Sequence, residues 1–147
     1  MQSIKRDIYL QRLKDREQNG LVKIVTGIRR CGKSYLLNTL FYEYLKEKGV
    51  KDNHIIKISL DDDENSDLLL PKALSRYIKN LIVDDELYYV LLDEIKLADN
   101  FVGVLNGLLK LPNVDIYVTG SNCYRVSRSW RRSPHLAAIV FRVYVCL

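Results

Sequence analysis

Residues 27–34, Gly27-Ile28-Arg29-Arg30-Cys31-Gly32-Lys33-Ser34, have the spacing G-x-x-x-x-G-K-[ST], and every fixed position has a use toward a phosphate. Gly27 and Gly32 permit backbone conformations that a Cβ would obstruct, so successive N–H groups can turn inward on an anion. A helix starting near Lys33 would aim its N-terminal donors and positive dipole end at the same anion. Lys33 can reach β and γ phosphates as a point charge, and the Ser34 hydroxyl can face Mg²⁺. The expected contact set for a nucleotide is Gly27, Ile28, Arg29, Arg30, Cys31, Gly32, Lys33, Ser34 and Tyr35. Arg29 and Arg30 either add positive potential there or hold neighbouring acids. Cys31 is either a thiol activated by the helix dipole or the occupant of a variable loop position.

A second group lies about 60 residues on. Leu91-Leu92-Asp93-Glu94 sets two carboxylates at the end of an apolar run. Asp93 is placed to hold magnesium, directly or through water, and Glu94 to polarise a water attacking a γ-phosphate. A second acid beside the metal-binding one tilts the chemistry toward hydrolysis, since transfer to water needs an oriented nucleophile. Thr119-Gly120-Ser121-Asn122 supplies a third group, in which Ser121 or Asn122 could touch the γ-phosphate or the water. The same residues are also good turn chemistry. The expected catalytic set is therefore Glu94, Lys33, Ser121 and Asn122, with Ser34 and Asp93 on the metal. The acidic stretch from Asp61 to Asp67 lacks the spacing and glycine of a calcium loop and reads as solvated. His54 and His135 have no partner at a recognisable ligand or triad spacing.

The elements that must position these groups follow from hydrophobic period. Residues 4–18 read as an amphipathic helix with Ile4, Ile8 and Leu13 on one side, stopped by Asn19-Gly20. Strands are expected over 21–26, 54–60, 87–92 and 114–119, and helices over 33–48, 71–81 and 99–110. Asp99 or Asn100 would cap the last helix. Strands alternating with helices of this length give an α/β fold with a mostly parallel sheet. Ligands of such sheets sit beyond the carboxyl ends of the strands, where all three chemical groups fall.

The 147 residues carry a net charge of +5, but unevenly. Residues 1–121 hold 18 basic and 18 acidic side chains and give no electrostatic case for nucleic acid. Arg125, Arg128, Arg131, Arg132 and Arg142 follow with no acid among them. That basic tail is open to a nucleic acid or an acidic surface. No apolar run is long enough to span a bilayer, and no signal-peptide pattern opens the chain. Three cysteines without a disulfide or zinc spacing point to a reducing cytoplasm.

Thr26 to Ser34, Leu91-Leu92-Asp93-Glu94-Ile95 and Tyr117 to Asn122 together resemble a prokaryotic family of AAA-type P-loop ATPases. Its members are described as ATP-binding proteins with an AAA domain followed by a C-terminal domain of unknown function. The resemblance covers about residues 4–122, with Lys96 standing where the family has an uncharged polar residue. It implies a three-layer P-loop NTPase fold with strand order 5-1-4-3-2 and ATP with Mg²⁺ as ligands. It also implies that Lys33, Ser34, Asp93, Glu94 and a polar group at 121 or 122 surround them. The choice of adenine rests on the resemblance alone. Residues 1–122 are the expected ATPase core. Residues 123–147 are expected as an atypical tail, either the product of a frameshifted or truncated gene or a makeshift fifth strand around residues 141–145. The leading expectation is Mg-dependent ATP hydrolysis in the full-length form. The alternatives are a nucleotide-gated module that signals to a protein partner without useful turnover, an inactive remnant, and a kinase for a small acceptor.

Overall fold

The computed structural model describes residues 2–27, 32–120 and 138–143, with side chains for 7–27 and 32–120. Five strands form one parallel sheet: β1 Val22–Gly27, β2 Ile55–Ser59, β3 Tyr88–Asp93, β4 Val114–Gly120 and β5 Ala138–Val143. Their spatial order is β2-β3-β4-β1-β5, the expected 5-1-4-3-2. β5 pairs with β1 from Val22↔Ala138 to Gly27↔Val143, beginning three residues before the expected 141–145, of which 144 and 145 lie outside the described residues.

Alternation along the strands splits the interior into two layers. Val22, Ile24, Val90, Leu92, Ile116 and Val118 face α4 Pro71–Leu81 and α5 Phe101–Leu109, where Leu74, Ile78, Leu105 and Leu108 complete the core. Val25, Tyr89, Leu91 and Tyr117 point the other way, onto α1 Gln2–Lys14 and the helix that follows β1. α1 buries only part of the stripe the sequence suggests, and the side chain of Ile4 lies outside the described ones. Tyr9 and Leu13 are inside, while Ile8 is 48% exposed. The reason is that 9 and 13 are one i, i+4 pair and Ile8 lies about 100° off it around the helix.

The helix after β1 runs from residue 33 to 47 in three joined pieces: α2 Lys33–Tyr35, a π-helical turn Leu36–Phe41, and α3 Tyr42–Glu47. The wider π turn lets Leu36 and Phe41, five residues apart, share the buried face with Leu37 and Leu45. Phe41 packs against Tyr117 with ring centroids 4.5 Å apart. α5 begins at Phe101, two residues later than expected. Of the two proposed caps Asn100 takes the position, in a left-handed conformation at φ 49° and without a side-chain capping hydrogen bond. No helix of the described residues is long and apolar enough to cross a membrane.

Candidate functional site

Register decides which polar groups meet. β3 and β4 run in step through Leu92↔Val118, so the next residues, Asp93 and Thr119, are neighbours at the carboxyl end of the sheet. Their odd numbers place them on the face covered by the helix 33–47. That helix begins at the same end, so Ser34 on its first turn lies directly over Asp93.

The contacts are specific. The Ser34 hydroxyl is 2.9 Å from one Asp93 carboxylate oxygen and 2.8 Å from the other. Asp93 is 4% exposed and Thr119 fully buried. The Thr119 hydroxyl donates to Asp93 Oδ1 and accepts from the Glu94 backbone N–H at 2.9 Å. One threonine therefore fixes both the carboxylate and the backbone of the residue after it. Leu60 N–H closes the other side, donating 3.0 Å to the Asp93 carbonyl and tying in the end of β2.

Two backbone conformations are set for this place. Gly32, the residue before α2, has φ 93° and ψ 19°, the left-handed region that a Cβ penalises. Glu94 has φ 57° and ψ 53°, also left-handed, although it carries a side chain. This costs about 1 kcal/mol or more. It turns the chain sharply out of β3 into the single turn Ile95–Leu97 and leaves the Glu94 carboxylate half-buried at the strand end. Lys33, 4% exposed, is drawn into the same first turn, whereas Tyr35 is 41% exposed.

The donor set fits a hard divalent cation. Magnesium binds oxygen at about 2.0–2.1 Å in an octahedron, so adjacent donors stand about 2.9 Å apart. Ser34 Oγ and the Asp93 carboxylate are oxygen donors of the right class, held beside each other by hydrogen bonds of 2.8 and 2.9 Å.

Of the expected site residues, the structure brings Ser34, Asp93 and Glu94 together and buries Lys33 in the first turn that carries Ser34. Gly27 ends β1, where Thr26 pairs with Gly120 of β4. Ile28, Arg29, Arg30, Cys31, Ser121 and Asn122 lie outside the described residues. Thr119 is the polar residue that sequence reasoning passed over in favour of its successors. Its signal was its odd-numbered place on a buried strand, where a β-branched hydroxyl residue otherwise reads as core.

A family model described as an AAA domain matches residues 19–146. The match therefore continues through the basic tail and β5, beyond the 4–122 of the sequence resemblance. An uncharacterized protein of Haemophilus influenzae is 30% identical over 125 residues, covering 84% of this chain. The chain spans 31% of the length of that relative. Among solved structures, a DNA polymerase III gamma subunit-related protein from Thermotoga maritima superposes with a TM-score of 0.59 at 16% identity, over 95% of this chain and 45% of the other. A chain in the structure of Drosophila ORC bound to DNA gives 0.64 at 11% identity, over 97% and 91%. These similarities are of fold.

Proposed function

The chain belongs to the AAA domain family, and from that premise we propose that it binds ATP with Mg²⁺ and supplies the hydrolytic centre of a longer ATPase. The observation that carries the proposal is the direct contact of the Ser34 hydroxyl with Asp93, the two groups the sequence sets aside for the metal. Lys33 and the backbone donors of 27–34 bind the phosphates, and Ser34 and Asp93 hold the cation. Mg²⁺, when bound, offsets charge on the β and γ phosphates. Glu94 orients and polarises the attacking water from the turn beyond Asp93. Thr119 orients the Asp93 carboxylate and fixes the peptide that aims Glu94. Ser121 and Asn122 stand next along the chain to contact the γ-phosphate or the water.

Calorimetric titration with Mg-ATP tests the binding. Saturable binding by the natural chain and its loss in Lys33→Ala are expected, and equal binding by both would overturn the phosphate cradle. Phosphate release tests the chemistry, with Glu94→Gln expected to abolish it and to keep nucleotide binding. If ATP binds but the natural protein releases no phosphate above background, the nucleotide-gated reading without hydrolysis takes its place, and unchanged release in Glu94→Gln would overturn the role given to Glu94. Because the chain spans 31% of the relative's length, turnover is best measured on the longer homologous protein as well.

A further inference from the structure

At the opposite end of β3 from Asp93, the structure assembles a second group of chemistry-bearing side chains that the sequence spacing did not reveal. His54 ends the short turn Asp52–His54 before β2, and Asp84 and Glu86 lie in the connection from α4 to β3. His54 Nε2 is 3.3 Å from Asp84 Oδ2 and 3.2 Å from Glu86 Oε2. The three ligand atoms all lie within 4.8 Å of one another. We propose that His54, Asp84 and Glu86 form a binding site for a divalent transition cation of the Zn²⁺ class, separate from the nucleotide site.

Three observations support this. The first is geometric. Zinc holds imidazole nitrogen and carboxylate oxygen at about 2.1 Å, which sets adjacent donors of a tetrahedron about 3.4 Å apart. Both His54-to-carboxylate distances are close to that edge. The second is charge. Among the described residues, no lysine or arginine pairs with Asp84 or Glu86, so two carboxylates face one imidazole with net negative charge. The third is orientation. His54 is 5% exposed, and its ring meets Tyr88 edge-on at 4.7 Å between centroids, which fixes where Nε2 points.

The carboxylate loop is also held without help from a metal. Asn113 Nδ2 donates at 3.0 Å to the carbonyls of both Asp84 and Glu86. The Glu86 N–H donates to Asp84 Oδ1, and the Val83 N–H donates to the Tyr88 hydroxyl. Such outer contacts orient ligands before the ion arrives. Asp84 and Glu86 have side chains 43% and 62% exposed, which gives the ion a route in and leaves a coordination position for water. A bound cation would clip the start of β2 to the start of β3.

The test is titration of the full chain with Zn²⁺ against a chromophoric chelator, and with Co²⁺ as an optical probe. One equivalent is expected in the natural protein, with the visible bands of tetrahedral Co²⁺ and no thiolate charge-transfer absorption. Asp84→Asn and Glu86→Gln, both at exposed side chains, should each weaken binding at least tenfold. His54→Gln should abolish it, and the two carboxylate variants decide the matter if that protein does not fold. Absence of a bound equivalent, thiolate bands, or unchanged affinity in both carboxylate variants would overturn the site.

Discussion

Asp93 and Glu94 are adjacent in sequence, yet the structure asks opposite things of them. Asp93 stays in the strand, buried against Thr119, while Glu94 leaves it through a left-handed turn. Thr119→Val keeps the shape but deletes a hydroxyl that serves both residues. It should cost about 1–3 kcal/mol, because the Glu94 N–H loses its acceptor, and it should slow ATP hydrolysis more than it weakens ATP binding. Denaturant unfolding alongside binding and turnover assays checks this, and a Val variant with natural stability would show that the threonine is only filler. Glu94→Gly makes a sharper test of the turn. Relief of about 1–2 kcal/mol of left-handed strain outweighs the roughly 0.5–1 kcal/mol of added chain entropy, so stability should hold or rise as hydrolysis is lost. Glu94→Gln keeps the strain and should melt like the natural protein. A Glu94→Gly protein clearly less stable than Glu94→Gln would mean that the Glu94 stem contributes packing. The acid pair was legible in the sequence because its members sit side by side at the end of an apolar run. Thr119 was not, because its role depends on a partner 26 residues away that only the β3–β4 register brings alongside.

The elements are tied to one another at the end of the sheet away from the nucleotide by a polar cluster with its own pH signature. Glu17, just after α1, accepts from Lys48 at 2.8 Å, from the Tyr44 hydroxyl at 2.6 Å and from the Tyr89 hydroxyl at 3.1 Å. Burial alone would raise the Glu17 pKa, but the hydrogen bonds from Lys48 and the tyrosines together bring it below the ordinary 4.5. Lys48 moves upward, chiefly through its bond to Glu17. A depressed carboxylate stabilises the fold fully above its unfolded value, and that contribution is lost as pH falls through the lower folded value. The raised lysine contributes below its unfolded value and loses that as pH rises through the folded one. The tie is therefore complete across neutral pH and fails first in acid. With Lys48 40% exposed, solvent screening keeps the effect small. Glu17→Gln should cost about 0.5–1 kcal/mol at pH 7, and its deficit should shrink toward nothing below pH 4.5. Urea melts across that range would expose the error if the deficit were independent of pH. Strand positions were readable from β-branched and near-continuous apolar runs, and α4 was found from residue 71 to 81 as its proline predicts. The π turn and the buried face of α1 were not readable, since both depend on which side of a helix the sheet happens to cover.

At the scale of the whole molecule, β1 is the strand on which the fold depends. It carries Gly27 at its end, it is buried along its full length, and it is flanked by β4 on one side and β5 on the other. Its β5 partner comes from the stretch where the composition turns basic, and for that reason the sequence alone gave it only a makeshift standing. The sheet order makes the consequence plain. Six registered pairs, from Val22↔Ala138 to Gly27↔Val143, cover the outer edge of an apolar strand. A chain cut after residue 122 would leave those backbone donors and acceptors open beside Val22, Ile24 and Val25, the kind of edge that pairs with another copy. We expect the 1–122 protein to self-associate and to lose nucleotide binding, because Gly27, the first residue of the phosphate-binding motif, ends the uncovered strand. The full chain, or 1–122 with residues 138–147 rejoined through a flexible linker, should remain dispersed and bind Mg-ATP. Light scattering with calorimetry separates the cases. A dispersed 1–122 protein that binds ATP as tightly as the full chain would show that the core closes without β5, and that the basic tail serves some purpose other than completing the sheet.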